Sequence, residues 1–229
     1  MIEELLPQTV VAVEAHGEEG VREFGDGPLY PQEEALVARA VAKRRREFTL
    51  VRSCARRAME KLGVPPQPVL PGERGAPQWP AGLTGSMTHC DGYGAAALVR
   101  ADDLASVGID AEPHAPLPDG VLSAIALPAE AERLRALAAD RPDVHWDRLL
   151  FSAKESVYKA WFPLTRKWLD FSEADITVDA GLAGGTRGTF RARLLVPGPL
   201  LGDRRIGHFD GRWTVERGLV ATAITVRHA

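Results

Sequence analysis

Two acids separated by a single residue, Asp110 and Glu112, sit in the segment Val107-Gly108-Ile109-Asp110-Ala111-Glu112. Alternate side chains of an extended strand share a face, so the two carboxylates are expected to project together. Such a pair can share a hard cation such as Mg²⁺, which retains some water and takes further ligands from a substrate phosphate. Downstream, Glu155 and Lys159 form an i, i+4 pair in the favourable order. Two further groups could hold an anion. Thr88 and His89, at the end of Gly85 to Cys90, can donate to an anionic oxygen. The arginines among Lys43 to Arg46, with Arg52, Arg56 and Arg57, carry the planar fork that grips phosphate. In the loop Pro71 to Pro77, Gly72 and Gly75 allow close backbone approach and Arg74 adds a donor. Taken singly, each group also fits a plain structural role. These are solvated acids at a strand end, an exposed ion pair worth a few tenths of a kcal/mol, a satisfied histidine, a basic helix face and a surface loop.

The elements that must position these residues follow from periodicity. From His145 to Trp161, Trp146, Leu149, Leu150, Ala153, Val157, Ala160 and Trp161 recur on one apolar stripe. Ser152, Glu155 and Lys159 are expected on the opposite face. A helix opens at Pro31, and another runs from about Glu47 to Leu62, ended by Gly63 and Pro65-Pro66. The basic residues therefore read as belonging to a pair of helices. A strand is expected over Thr9 to Val13, followed by a Gly-rich acidic stretch. Pro65 to Pro80 reads as an irregular connection. Two strands flank Asp91-Gly92 between Gly82 and Val99, and another covers Ser106 to Ala111. A helix is expected over Val121 to Ala139. Strands follow at Asp175 to Val178, Gly188 to Val196, His208 to Glu216 and Leu219 to Val226, with Asp210-Gly211 and Arg217-Gly218 as turn signals. Helices then strands, twice over, predict an α+β fold of two halves, 1–104 and 105–229.

Composition narrows the function classes. The net charge of −3 over 229 residues gives no global reason to expect nucleic acid or a membrane as partner. A DNA-binding role for the basic helices would need a groove-fitting motif, and none is present. Two cysteines allow neither a disulfide framework nor a CxxC metal site. The acidic start lacks a signal-peptide layout, and no apolar run approaches the roughly 20 residues of a membrane span. The expectation is a soluble, cytoplasmic protein.

Gly108-Ile109-Asp110-Ala111-Glu112, followed by Phe151-Ser152-Ala153-Lys154-Glu155-Ser156-Val157-Tyr158-Lys159, resembles the two signature motifs of the 4′-phosphopantetheinyl transferases. Those read G-I/V-D-x-E and F/W-C/S/T-x-K-E-A/S-x-x-K. Ser86-Met87-Thr88-His89 resembles the family's upstream S-L/M-S/T-H motif. Ala42 to Phe48, Gly63 to Pro66, Tyr158 to Thr165 and Gly211 to Leu219 resemble the actinobacterial PptT type of the surfactin-type (Sfp-like) branch, in which one chain contains two similar halves.

The resemblance implies a fold of two pseudo-symmetric α+β halves, each a small antiparallel sheet packed on helices, with coenzyme A between them. It implies transfer of the 4′-phosphopantetheine arm of coenzyme A to a serine of an apo acyl or peptidyl carrier protein. Holo carrier protein and adenosine 3′,5′-bisphosphate are the products, as in a holo-[acyl-carrier-protein] synthase. The N-terminal half, 1–104, would supply nucleotide contacts, and 105–229 the metal site and catalytic helix. Asp110, Glu112 and Glu155 would hold Mg²⁺, with Mn²⁺ as the alternative ion. Glu155 would act as general base, with Lys159 and Asp110 also catalytic. Coenzyme A contacts map to Arg44, Arg52, Gly72, Glu73, Arg74, Gly75, Thr88, His89, Asp110, Lys154, Glu155 and Lys159. The chain departs from close relatives at Pro71 and Arg74, where they carry lysine, so one cation is lost at Pro71. Phe162 to Trp168 is a candidate edge for the acidic carrier. A cleft already formed within one chain implies a monomer. The competing classes are another coenzyme A enzyme, such as an acetyltransferase, and a non-catalytic coenzyme A or nucleic-acid binding module. The former would carry a Gly-rich loop at a helix start, and none is found.

Overall fold

A computed structural model describes residues 1–25, 27–181 and 185–228. In the first half, strands β1 (Val11–His16), β2 (Leu83–Cys90) and β3 (Tyr93–Arg100) form an antiparallel sheet in the order β1-β3-β2. Helices α1 (Gly17–Gly25), α2 (Pro31–Val37) and α3 (Ala42–Lys61) accompany it. Leu50, Cys54, Ala55, Ala58 and Met59 of α3 are buried against Val13, Ala15, Ala96 and Leu98 of the sheet. The second half holds β4 (Ser106–Pro113), α4 (Val121–Ile125), α5 (Pro128–Asp140) and α6 (Trp146–Thr165). It continues through β5 (Ala174–Asp179), β6 (Arg187–Leu194), the small hairpin β7 (Leu200–Leu201) and β8 (Arg204–Arg205), β9 (His208–Glu216) and β10 (Leu219–Val226). Five of these strands make one antiparallel sheet, β4-β10-β9-β6-β5. The apolar stripe of α6, Trp146, Leu149, Leu150, Ala153 and Val157, packs on that sheet with Ile176, Phe190, Trp213 and Val220. Among the described residues, no helix is long and apolar enough to cross a membrane.

A third cluster joins the halves: Tyr93, Ala95 and Ala97 meet Val107, Ile109, Ala111 and Ala221, capped by Ile2 and Leu5. Strands β2 and β4 belong to separate sheets. Side-chain hydroxyls bridge them: Ser86 Oγ accepts from the Ile109 N–H and Thr88 Oγ1 from the Ala111 N–H, both at 3.1 Å. Two buried backbone donors that a ladder would normally satisfy are met this way.

Several elements differ from the reading of the sequence. All the basic residues lie on one continuous helix, α3, rather than a pair. Lys43 to Arg46 are good helix formers, and nothing between them and Glu47 interrupts the helix. The stretch after β1 folds as α1, because Val21 and Phe24 pack against the α3 core. The helix expected over Val121 to Ala139 is two helices. Leu127 is extended (ψ 151°) ahead of Pro128, which starts α5. Asp210-Gly211 is not a turn but lies inside β9. Gly211 is required there because a Cβ would fall 2.1 Å from the Phe190 ring. Ser152 is fully buried, its hydroxyl 2.9 Å from Thr222 Oγ1 on β10, so it faces the sheet rather than Glu155's polar side.

Candidate active site

The active face follows from how α6 crosses β4. Strand alternation places Gly108, Asp110 and Glu112 on the side facing the helix. Gly108 is where the two backbones approach most closely: a Cβ there would lie 2.1 Å from the Ser156 carbonyl oxygen and 2.7 Å from the Ala160 nitrogen. One step along β4, Asp110 meets Lys159. One step further, Glu112 meets Arg148. Helix and strand run antiparallel: as β4 advances from Gly108 to Glu112, its partners on α6 fall back from Ala160 to Arg148.

Asp110 is almost completely buried. Its Oδ1 accepts from Lys159 Nζ at 2.8 Å and from Thr88 Oγ1 at 3.2 Å. Its Oδ2 is buried and has no hydrogen-bond partner. Lys159 Nζ also donates to the Ile109 carbonyl at 3.1 Å. Half-buried Glu155 has its carboxyl pushed above the ordinary 4.5, chiefly by burial; Asp110 adds to the rise and Lys159 opposes it. Glu112 is raised by burial and then by Asp110, against Arg148 and Lys159. A buried carboxylate oxygen without a donor, flanked by two carboxyls whose ionised forms are disfavoured, is short of positive charge. That donor set suits a hard divalent cation.

The expected three-carboxylate cluster is nevertheless not assembled. Among the described residues, no three His, Cys, Asp or Glu side chains come together as a metal-holding group. One oxygen of each strand acid already has a basic partner: Glu112 Oε2 accepts from Arg148 NH1 at 3.0 Å, and Asp110 Oδ1 from Lys159.

Beside these acids a cleft of about 900 Å³ opens between the two halves. Glu155, Tyr158 and Lys159 of α6 form one wall, and Arg44, Glu47 and Arg52 of α3 another. Residues 71–79 close it over. Their loop is cinched at its base by Gly72 N–H on the Ala76 carbonyl, 2.7 Å, and Arg74 adopts φ 54°. Gly72, Glu73, Arg74 and Gly75 all line the cleft, as does Pro71. His89 lies in the same wall, with Arg44 NH1 donating to its Nε2 at 3.2 Å and Glu47 Oε2 3.4 Å away. Burial holds its pKa below the usual histidine value, with Glu47 opposing.

Three expected residues have other partners. Arg52 lines the cleft but is mostly buried, and burial pulls its pKa down to about 10. It donates to the Val69 and Phe48 carbonyls, and Glu33 lies 3.8 Å away. Thr88 is buried and spends its hydroxyl on Asp110 and the Ala111 N–H, so it positions an acid rather than presenting a donor to the cleft. Lys154 is not brought to this site. Its ammonium is buried, 3.0 Å from Glu130 of α5, and donates to the Phe171 and Ala174 carbonyls. Its reading as a cofactor contact is corrected accordingly: the helical step from Glu155 to Lys154 turns it into the core.

Other residues were missed in the sequence. Fully buried Glu33 accepts from Arg56 at 2.9 Å and from the Val69 N–H at 2.9 Å, tying α2 to α3 and to the approach to the loop. Its place in the first turn of a Pro-initiated helix pointed only to the helix dipole. Tyr158, one turn from Glu155, has a buried hydroxyl without a partner. Its ring lies 5.1 Å from Trp168, over which the Arg74 guanidinium sits at 5.5 Å. Counting i+3 from Glu155 would have found it. Of the expected docking edge, Phe162 is core and Trp168 is 55 % exposed.

Comparison with known proteins bears on this arrangement. Residues 32–99 match the family described as the 4′-phosphopantetheinyl transferase N-terminal domain. Residues 106–195 match the 4′-phosphopantetheinyl transferase superfamily. The chain is 58 % identical to 4′-phosphopantetheinyl transferase Svp of Streptomyces mobaraensis, over 99 % of this chain and 89 % of that one. It is 51 % identical to PptT of Mycobacterium tuberculosis, over 99 % and 98 %. With Npt of Nocardia iowensis it shares 49 %, over 98 % and 99 %.

Proposed function

Because the chain belongs to the 4′-phosphopantetheinyl transferase superfamily, we propose that the cleft between its halves holds coenzyme A for attack by a carrier-protein serine on the phosphorus bearing the pantetheine. The observation that carries this reading is the partnerless Oδ2 of Asp110, buried beside Lys159 and Glu155 at the edge of a nucleotide-sized cleft.

The steps follow from the residues in place. Arg44 and His89 receive the 3′-phosphate, since Arg44 is half-exposed and held toward His89 by a single hydrogen bond. Arg52, anchored to Val69, positions the start of the loop formed by Gly72, Glu73, Arg74 and Gly75 over the cofactor. Mg²⁺, with Mn²⁺ as the alternative, would be held by Asp110, Glu155 and Glu112 and supplies positive charge against the diphosphate oxygens. Glu155 removes the serine proton. A bare serine hydroxyl is a poor nucleophile at neutral pH, so a positioned base is needed. The serine oxygen bonds to phosphorus, the diphosphate P–O bond breaks, and adenosine 3′,5′-bisphosphate leaves. Lys159 neutralises charge that builds on the leaving phosphate. We place the reaction in the cytoplasm, carried out by a monomer, with the carrier seated against exposed Trp168.

The test is incubation with apo-carrier protein, coenzyme A and Mg²⁺, followed by mass spectrometry of the carrier. A gain of one phosphopantetheine on the serine is expected. No gain with any divalent ion, on any of a panel of fatty-acid, polyketide and non-ribosomal peptide carriers, rules the reading out. Within the same assay, Arg44→Ala should raise KM for coenzyme A roughly tenfold, as for loss of one charge-assisted contact of about 1.5 kcal/mol, and leave kcat near wild type. An unchanged KM removes Arg44 from the phosphate site.

A further inference from the structure

Arg148 spends its guanidinium entirely on the segment leaving β4. Nε donates to the Ala115 carbonyl at 3.1 Å, NH2 to the Pro116 carbonyl at 2.8 Å, and NH1 to Glu112 Oε2 at 3.0 Å. Both side chains of the ion pair are mostly buried, Arg148 15 % and Glu112 19 % exposed. The neighbouring residue on the helix continues the strap: Asp147 Oδ2 accepts from the Leu117 N–H at 2.7 Å. Glu112 is therefore not a loose acid at a strand end. One of its oxygens is fixed by a planar donor that is itself fixed by two carbonyls, and the charged groups around it are Asp110, Lys159 and Arg148.

We infer that Arg148 is a positioning residue for the metal: it fixes Glu112 by one carboxylate oxygen and leaves the other to the ion. This rests on the proposed role of Asp110, Glu112 and Glu155 as divalent-cation ligands. The physical basis is general. Carboxylates that bind metals are usually hydrogen-bonded in turn, and loss of such an outer partner weakens metal binding 10- to 100-fold. A carboxylate on the same strand face as Asp110 would otherwise swing away from its neighbour's charge. The contacts of Arg148 to 115 and 116 fix the direction from which it holds the carboxylate. A lysine could supply charge but not the forked geometry.

Binding of Mn²⁺ in the presence of saturating coenzyme A, followed by electron paramagnetic resonance of the free ion, tests this without any turnover. Arg148→Gln should weaken Mn²⁺ binding 10- to 100-fold, and Arg148→Lys should fall between it and wild type. Glu112→Gln should lose at least as much as Arg148→Gln. If Arg148 only straps the loop, Arg148→Gln lowers the melting temperature with Mn²⁺ affinity unchanged, and the inference falls. Should Arg148→Gln fail to fold, Arg148→Lys decides alone: weakened Mn²⁺ binding supports the inference, and wild-type affinity overturns it. A wild-type protein that binds no Mn²⁺ refutes the metal reading itself. Wild-type binding weakened by Glu112→Gln but untouched by Arg148→Gln refutes Arg148's part alone.

Discussion

Glu155→Gln is expected to slow carrier modification about 10³-fold while the protein stays folded and still binds coenzyme A. General-base catalysis contributes about 10²- to 10⁴-fold, and the same substitution removes an oxygen proposed to hold the divalent ion. The fold should tolerate it. Burial and Asp110 both push the Glu155 carboxyl up, so its ionised form is less stable in the folded chain than in the unfolded one. A raised folded value means that ionisation costs stability once pH passes the unfolded value, and that cost is present at neutral pH. A neutral glutamine of similar shape removes it, so the melting temperature of the ion-free protein should hold or rise. Steady-state rates on a purified apo-carrier, with the melting temperature measured alongside, decide the matter. A variant within a few fold of wild type would end the assignment of Glu155 as base.

Lys154→Met is expected to act in the opposite way, on stability first. Lys154 and Glu130 form an ion pair at 3.0 Å with both side chains about 1 % exposed. Truncating one partner of such a pair leaves a buried charge uncompensated, at a cost of about 3–5 kcal/mol. For a chain of this size that corresponds to a fall in melting temperature of order 10 °C. Glu130 keeps two backbone donors, the N–H groups of Leu127 and Ile176 at 2.7 Å each, which places the cost toward the lower end. The double variant with Glu130→Gln should recover part of the loss. Below its melting point Lys154→Met should retain kcat within a few fold. An unchanged melting temperature together with a hundredfold loss of kcat would return Lys154 to the reacting centre.

The two lysines of one signature motif show what the sequence can and cannot convey. Glu155 and Lys159 were legible because they lie opposite the apolar stripe as an i, i+4 pair. Lys154 was not separable from them: its charge suggested chemistry, and only the presence of Glu130 on α5 shows where that charge is spent. The pair Asp110 and Glu112 was legible as two acids on one strand face. That Arg148 claims Glu112 was not, because the partner lies 36 residues away and depends on how α6 crosses β4. Glycines divide in the same way. Gly108 belongs to a motif, yet its role is the backbone approach of α6. Gly211 beside Asp210 imitates a turn and instead makes room for Phe190. The strands of the two larger sheets were readable to within a few residues, whereas the short pair β7 and β8 was not read, and α1 was obscured by its own glycines, which its packing on α3 overrides.

The central claim is that one cleft joins a cation pocket on α3 to the acids of β4 and α6 along a single coenzyme A. A crystal structure with coenzyme A and Mg²⁺ measures this directly. It should place the 3′-phosphate within hydrogen-bonding distance of Arg44 and His89, and the diphosphate against Lys159 with the ion touching Asp110 Oδ2. A nucleotide bound elsewhere, with Asp110 Oδ2 still without a partner, would contradict the account.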